Sequence, residues 1–157
     1  MPEPAPDNVI VVGIAPTRID EIVEVAASLA QDLGASLVIG HVMINTSLVE
    51  YSPASTRDGL SLAPAVDEEM EELSLHIGER VESVVAGRAP WNLRMLGGDP
   101  AKALGRLSAE LNARLIIVGG VRRGMMHEVE DVISGSITAA LTRLQDRPVV
   151  VVPARRR

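Results

Sequence analysis

The chain has 157 residues, 46% of them hydrophobic, which is enough for one domain with a real core. Phe is absent and Trp and Tyr occur once each, so that core must be aliphatic. A net charge of −6 argues against general nucleic-acid binding, which needs a basic surface, and the absence of cysteine excludes a disulfide scaffold, a thiolate nucleophile and a thiolate zinc site.

No apolar run reaches the roughly 18 residues of a membrane span, and the opening MPEPAPDN has neither the basic nor the apolar region of a secretory signal. A cytoplasmic protein with no membrane partner is expected. Residues 1–7, with Pro2, Pro4 and Pro6, read as a disordered leader. Residues 8–153 form the domain, and 154–157 form a solvated basic tail ending in Arg155, Arg156 and Arg157.

Val9 to Ile14 is an unbroken apolar run of strand length, the pattern of a strand covered on both faces. Ala15-Pro16-Thr17 ends it, and Thr17 is placed to cap the helix that follows. In that helix Ile19, Ile22, Val23, Ala26, Leu29, Ala30 and Leu33 form one stripe, Asp20, Glu21 and Glu24 load the first turns with acid, and Gly34 closes the end. Ser36 to Met43 is a second strand. Asn45 to Ala65 reads as a long, mobile polar connection. Helical spacing resumes from Val66 to Val85, and Asn92 to Leu96 gives a third strand.

Asp99 is a plausible N-cap with Pro100 at the first helical position, and the stripe runs on through Ala103, Leu104, Leu107 and Leu111. Leu115 to Val118 is the fourth strand, ending at Gly119-Gly120. The next helix is predicted to start at Gly135-Ser136 and to bury Ile137, Ala140, Leu141 and Leu144, and Pro148 to Val152 is a fifth strand. Strands alternating with helices imply an α/β fold, a five-stranded parallel sheet with helices on both faces. Ligands of such sheets sit beyond the carboxyl ends of the strands, where strand order reverses. There the glycines at 120, 124 and 135 allow close backbone approach, and a helix start offers unpaired amides to phosphate. The same glycines serve equally well as a turn.

Together the Gly-Asp-Pro segment within 93–104, the strand ending in Val118-Gly119, the Gly135-Ser136 pair and the terminal Arg147-Pro148-Val149-Val150-Val151-Val152-Pro153 resemble the universal stress protein family. The resemblance implies a homodimer without a defined catalytic activity, at most weak ATP hydrolysis. Some members bind ATP or another adenine nucleotide, with Mg²⁺ where ATP is bound, and others bind none. Members that bind ATP carry Gly-x2-Gly-x9-Gly-(Ser/Thr). Here the spacing through Gly120, Gly124, Gly135 and Ser136 is Gly-x3-Gly-x10-Gly-Ser, a longer loop. The first strand of such members commonly ends in an aspartate, and this chain has Ala15 there, which forgoes a charge-assisted hydrogen bond of about 1.5–3 kcal/mol. The resemblance places the phosphates at Gly119, Gly120, Gly124, Gly135 and Ser136, with Ala15, Thr17 and Val42 beside the nucleoside and Arg122 and Arg123 near enough to add charge. A nucleotide-free dimeric interaction protein of the same family is the alternative.

No catalytic residue is assigned. His41, His76 and His127 lack metal-ligand spacing, and neither a Gly-x-Ser-x-Gly elbow nor a Gly-x4-Gly-Lys loop is present. The uncharged, β-prone last strand is an edge that must be covered, and pairing with its own copy through residues 148–153 is the simplest cover.

Overall fold

A computed structural model describes residues 8–43, 50–51, 64–120 and 129–154. Strands β1 (Val9–Ile14), β2 (Ser36–Met43), β4 (Trp91–Gly97), β5 (Leu115–Gly119) and β6 (Val149–Val152) are parallel, and β3 (Glu50–Tyr51) pairs antiparallel with β4. The order across the sheet is β3-β4-β2-β1-β5-β6. Five parallel strands are thus as expected. The two-residue β3 is an addition, lying in the segment read as connection and covering the outer edge of β4.

Helices α1 (Ile19–Leu33) and α2 (Pro64–Val85) cover one face, where Ile10, Val12, Leu37, Ile39 and Ile117 meet Ile22, Val23, Ile77 and Val81. On the opposite face, α3 (Pro100–Glu110) and α4 (Val129–Leu144) bring Leu104, Leu107 and Leu141 against Val9, Val11, Val38 and Ile116. The core is aliphatic, with Met70 and Met95 among its fully buried side chains. An ion pair joins α2 to α1 at Arg80–Asp20, and Arg88, in the turn after α2, donates two hydrogen bonds of 3.0 and 2.7 Å to Glu24 of α1. Exposed pairs of this kind add little stability and chiefly fix the helix register.

Gly34 ends α1 in the left-handed region at φ 61°, and the Asp99 carboxylate accepts the Lys102 amide at 2.9 Å with Pro100 in the first turn, as the sequence predicts. Other boundaries differ. Thr17 lies in a single 3₁₀ turn, Pro16–Arg18, and α1 starts at Ile19 without a side-chain cap. Pro64 opens α2, two residues before the predicted Val66, at a position where its missing N–H costs nothing. The start of α4 is Val129 rather than Ser136, because Val129, Val132, Ile133 and Ile137 sustain helical spacing through the glycine.

Candidate functional site

The chain leaves β1 towards β2 and β4, then crosses back to β5 on the other side of β1. Strand order therefore reverses between β1 and β5, whose following helices lie on opposite faces, and the carboxyl ends of these two strands mark the switch point, the crevice where ligands of such sheets sit. On the β1 side stand half-buried Ala15 and exposed Thr17, in a turn closed by the Arg18 amide donating to the Ala15 carbonyl at 3.0 Å. On the β5 side are Gly119 and Gly120. Val42, near the end of β2, is half-buried against the α3 and α4 face.

The two glycines are close-packed against the protein's own groups. A Cβ on Gly119 would stand 2.9 Å from Ile22 Cδ1 and 3.0 Å from Arg18 Nη1, and one on Gly120 would stand 2.9 Å from Val151 Cγ1. The Gly120 amide is already donated to the Val152 carbonyl at 2.8 Å. This corrects the expectation that the missing side chains leave room for a ligand. Ile22, Arg18 and Val151 fill that room, and the Gly120 N–H is taken by β6.

Arg18, which the sequence reading did not single out, crosses between the two loops. Its Nη1 donates to the Gly120 carbonyl at 2.7 Å and its Nη2 to the Val152 carbonyl at 3.4 Å, while Nε and Nη2 donate to Glu21 Oε2 at 3.2 and 3.0 Å. Its side chain is 13% exposed. The one available signal was position: the last residue before α1 is where a long cationic side chain can reach the next loop along the sheet edge.

Gly135 and Ser136 lie past the first turn of α4. Only the first four amides of a helix, at the cap and the first three helical residues, lack an intrahelical acceptor, so the amides of Gly135 and Ser136 are not among them. Gly124, Arg122, Arg123 and His127 fall outside the described residues, as do the leader 1–7 and most of the long 45–65 connection.

The universal stress protein family model matches residues 8–153. The chain belongs to this family. No curated protein matches it. A universal stress protein solved in complex with cAMP shares 21% identity, with 95% of this chain and 98% of that one covered and a TM-score of 0.60. One from Archaeoglobus fulgidus in complex with dAMP shares 17% identity over 94% and 99% of the two chains, TM-score 0.60. A family member from Burkholderia pseudomallei shares 20% over 96% and 98%, TM-score 0.64. At these identities the likeness is one of fold.

In this universal stress protein His41 is a buried ionisable group near the carboxyl end of β2. It is 9% exposed and lies in register with Ile14, the last residue of β1. The two-residue alternation of β2 puts it on the same face as Leu37 and Ile39, under α1 and α2. Its Nδ1 has no hydrogen-bond partner. Burial pushes the imidazole pKa below its ordinary 6.5, and a hydrogen bond with the Ile14 backbone opposes this in part. The folded state therefore holds fewer protons than the unfolded chain just below that value, and stability falls as pH drops from about 6.5 towards the folded pKa. Urea midpoints of the wild type should fall between neutral pH and about pH 5 by more than those of His41→Gln. Equal losses in the two proteins would show that His41 contributes nothing to acid sensitivity.

Among the described residues no group of His, Asp and Glu is arranged to hold a metal ion, and no helix is long and apolar enough to cross a membrane.

Proposed function

We propose that this chain is a regulatory module of the stress response that binds an adenine nucleotide in the crevice between the loops after β1 and β5 and acts as a homodimer. The observation that carries the reading is the reversal of strand order at this crevice in a family fold whose solved relatives include complexes with cAMP and dAMP. The reading sets Ala15, Thr17 and Val42 beside the nucleoside and Gly124, Gly135 and Ser136 on the phosphate side, while Gly119 and Gly120, packed against Ile22, Arg18 and Val151, offer it no room. ATP, if it is the nucleotide, brings Mg²⁺ with it. No residue is assigned a catalytic role.

Mass spectrometry of the denatured protein should release an adenine nucleotide, and calorimetric titration with ATP, ADP, AMP and cyclic AMP should give saturable heat for at least one of them. Gly135→Trp should weaken that affinity at least about tenfold, or 1.4 kcal/mol, without unfolding the chain. Unchanged affinity in this variant removes Gly135 from the site.

Two observations favour a second reading, a nucleotide-free dimeric interaction protein. Ala15 offers no carboxylate, and the Gly120 amide and the Arg18 guanidinium are occupied within the chain. No co-purified nucleotide and no heat with any of the four would leave this reading standing.

A further inference from the structure

We propose that His41, Met43 and Met95 form a binding site for a soft monovalent metal ion, Cu(I), at the carboxyl end of β2 on the face of the sheet covered by α1 and α2. The site is independent of the nucleotide reading.

His41 and Met95 are direct partners in the register of β2 and β4, so their side chains leave the same face of the sheet from strands about 4.8 Å apart. Met43 follows His41 by two residues, which returns it to that face about 6.6 Å further along β2. Both methionines belong to the cluster packed on this face. An imidazole and two thioethers thus share one small patch. Methionine is unbranched and has three rotatable bonds, so each sulfur can turn towards a common point.

The observation that points to a ligand is on His41. The residue is nine-tenths buried, and its Nδ1 has no hydrogen-bond partner. Buried polar atoms are normally paired, and an apolar side chain would fill this position without that cost. Burial also disfavours the imidazolium, so the ring keeps a lone pair for a metal.

The donor types select the ion. Thioether sulfur is a soft ligand that favours Cu(I), and imidazole suits copper as well. None of the three donors carries a charge, so a divalent ion would be buried with both of its charges uncompensated and a monovalent ion with one. Zn²⁺ is held by thiolate, imidazole and carboxylate, and this chain has no cysteine. Met95 is fully buried and Met43, the last residue of β2, is half-buried, so the ion enters past Met43.

The test is anaerobic competition for Cu(I) between the protein and the chromophoric chelator bicinchoninate, with NMR of the methionine methyl groups. The Met43 and Met95 methyl signals of the wild type should shift together with the first equivalent of Cu(I). Met43→Leu and Met95→Leu nearly conserve volume, and each should weaken binding at least about tenfold, a loss that removing even an outer-shell partner of a metal ligand reaches. His41→Gln should do the same, and the two leucine variants and the methyl signals decide the matter if it does not fold. Leucine at both Met125 and Met126, the methionines beside His127 in the sequence, should leave the affinity unchanged, and excess Zn²⁺ should not displace Cu(I). No uptake by the wild type, full affinity in Met43→Leu or Met95→Leu, affinity lost with Met125 and Met126, or displacement by Zn²⁺ would each overturn the site.

Discussion

Leu104→Ala is expected to destabilise the fold by about 2–5 kcal/mol and to lower Tm by about 5–20 °C. Gly13 of β1 and Gly40 of β2 are direct partners in register, and together they leave a hollow on the α3 face of the sheet. The two Leu104 methyls fill it. A Cβ on Gly13 would lie 2.7 Å from Leu104 Cδ1, and one on Gly40 would lie 3.1 Å from Cδ2. Leu104 is buried, and its methyls rest almost on the sheet backbone, so truncation opens a cavity that rigid strands cannot close. The same contact makes Gly13→Ala an overpacking change of about 1–3 kcal/mol, since α3 has to move away from β1. Combining the two should cost clearly less than the sum of the single losses, because each removes what the other suffers from. Urea denaturation of the four proteins measures this coupling. Additivity within about 0.5 kcal/mol would show that the hollow is not what positions α3. The consequence reaches the crevice, because α3 carries the chain back across the sheet into β5 and so sets where Gly119 and Gly120 lie.

The frame of the molecule was legible because its signals are local. Val9 to Ile14 is apolar at every position but Gly13, Gly34 and Asp99 punctuate helices through their own backbone or side chain, and the crossovers follow from alternation. The crevice was legible only as a place. What fills it depends on contacts far apart in sequence: Arg18 meets Gly120 across 102 positions, and no periodicity announces such a pair. The glycines at 119 and 120 carry one sequence signal with two physical causes, room for a ligand or room for a neighbouring side chain, and only Ile22 and Val151 in place distinguish them. The start of α4 was misplaced for a related reason. Gly135 and Ser136 are poor helix formers and drew the boundary to themselves, yet the helix runs from Val129, and apolar positions at 129, 132, 133 and 137 keep helical spacing in the sequence. Two residues are too few to display an alternation, so β3 had no signature at all.

Val151→Pro is expected to convert the proposed homodimer to a monomer while leaving the chain folded. In β6 the Pro148 and Val152 carbonyls accept the Ile116 and Gly120 amides at 2.9 and 2.8 Å, so the backbone of even-numbered residues faces β5. The N–H groups of Val149 and Val151 then point to the open edge, by the alternation of a strand. Val151 is 42% exposed, in a run of four valines without a charge to deter pairing. Proline at this position removes one outward donor and blocks approach of a second strand, yet takes no hydrogen bond from the β5–β6 ladder. If two copies pair along this edge, the variant should shift the dissociation constant by at least about a hundredfold, or 2.7 kcal/mol, and solution scattering at micromolar concentration should report half the wild-type mass. The urea midpoint, compared at a concentration where the wild type is also monomeric, should move little, which separates lost pairing from lost folding. A variant that retains the dimer mass would place the two-fold contact elsewhere on the molecule. Because Val152 holds both the Gly120 amide and Arg18, the pairing edge and the crevice share one residue, and a ligand that disturbs Arg18 should also change how firmly that edge is presented.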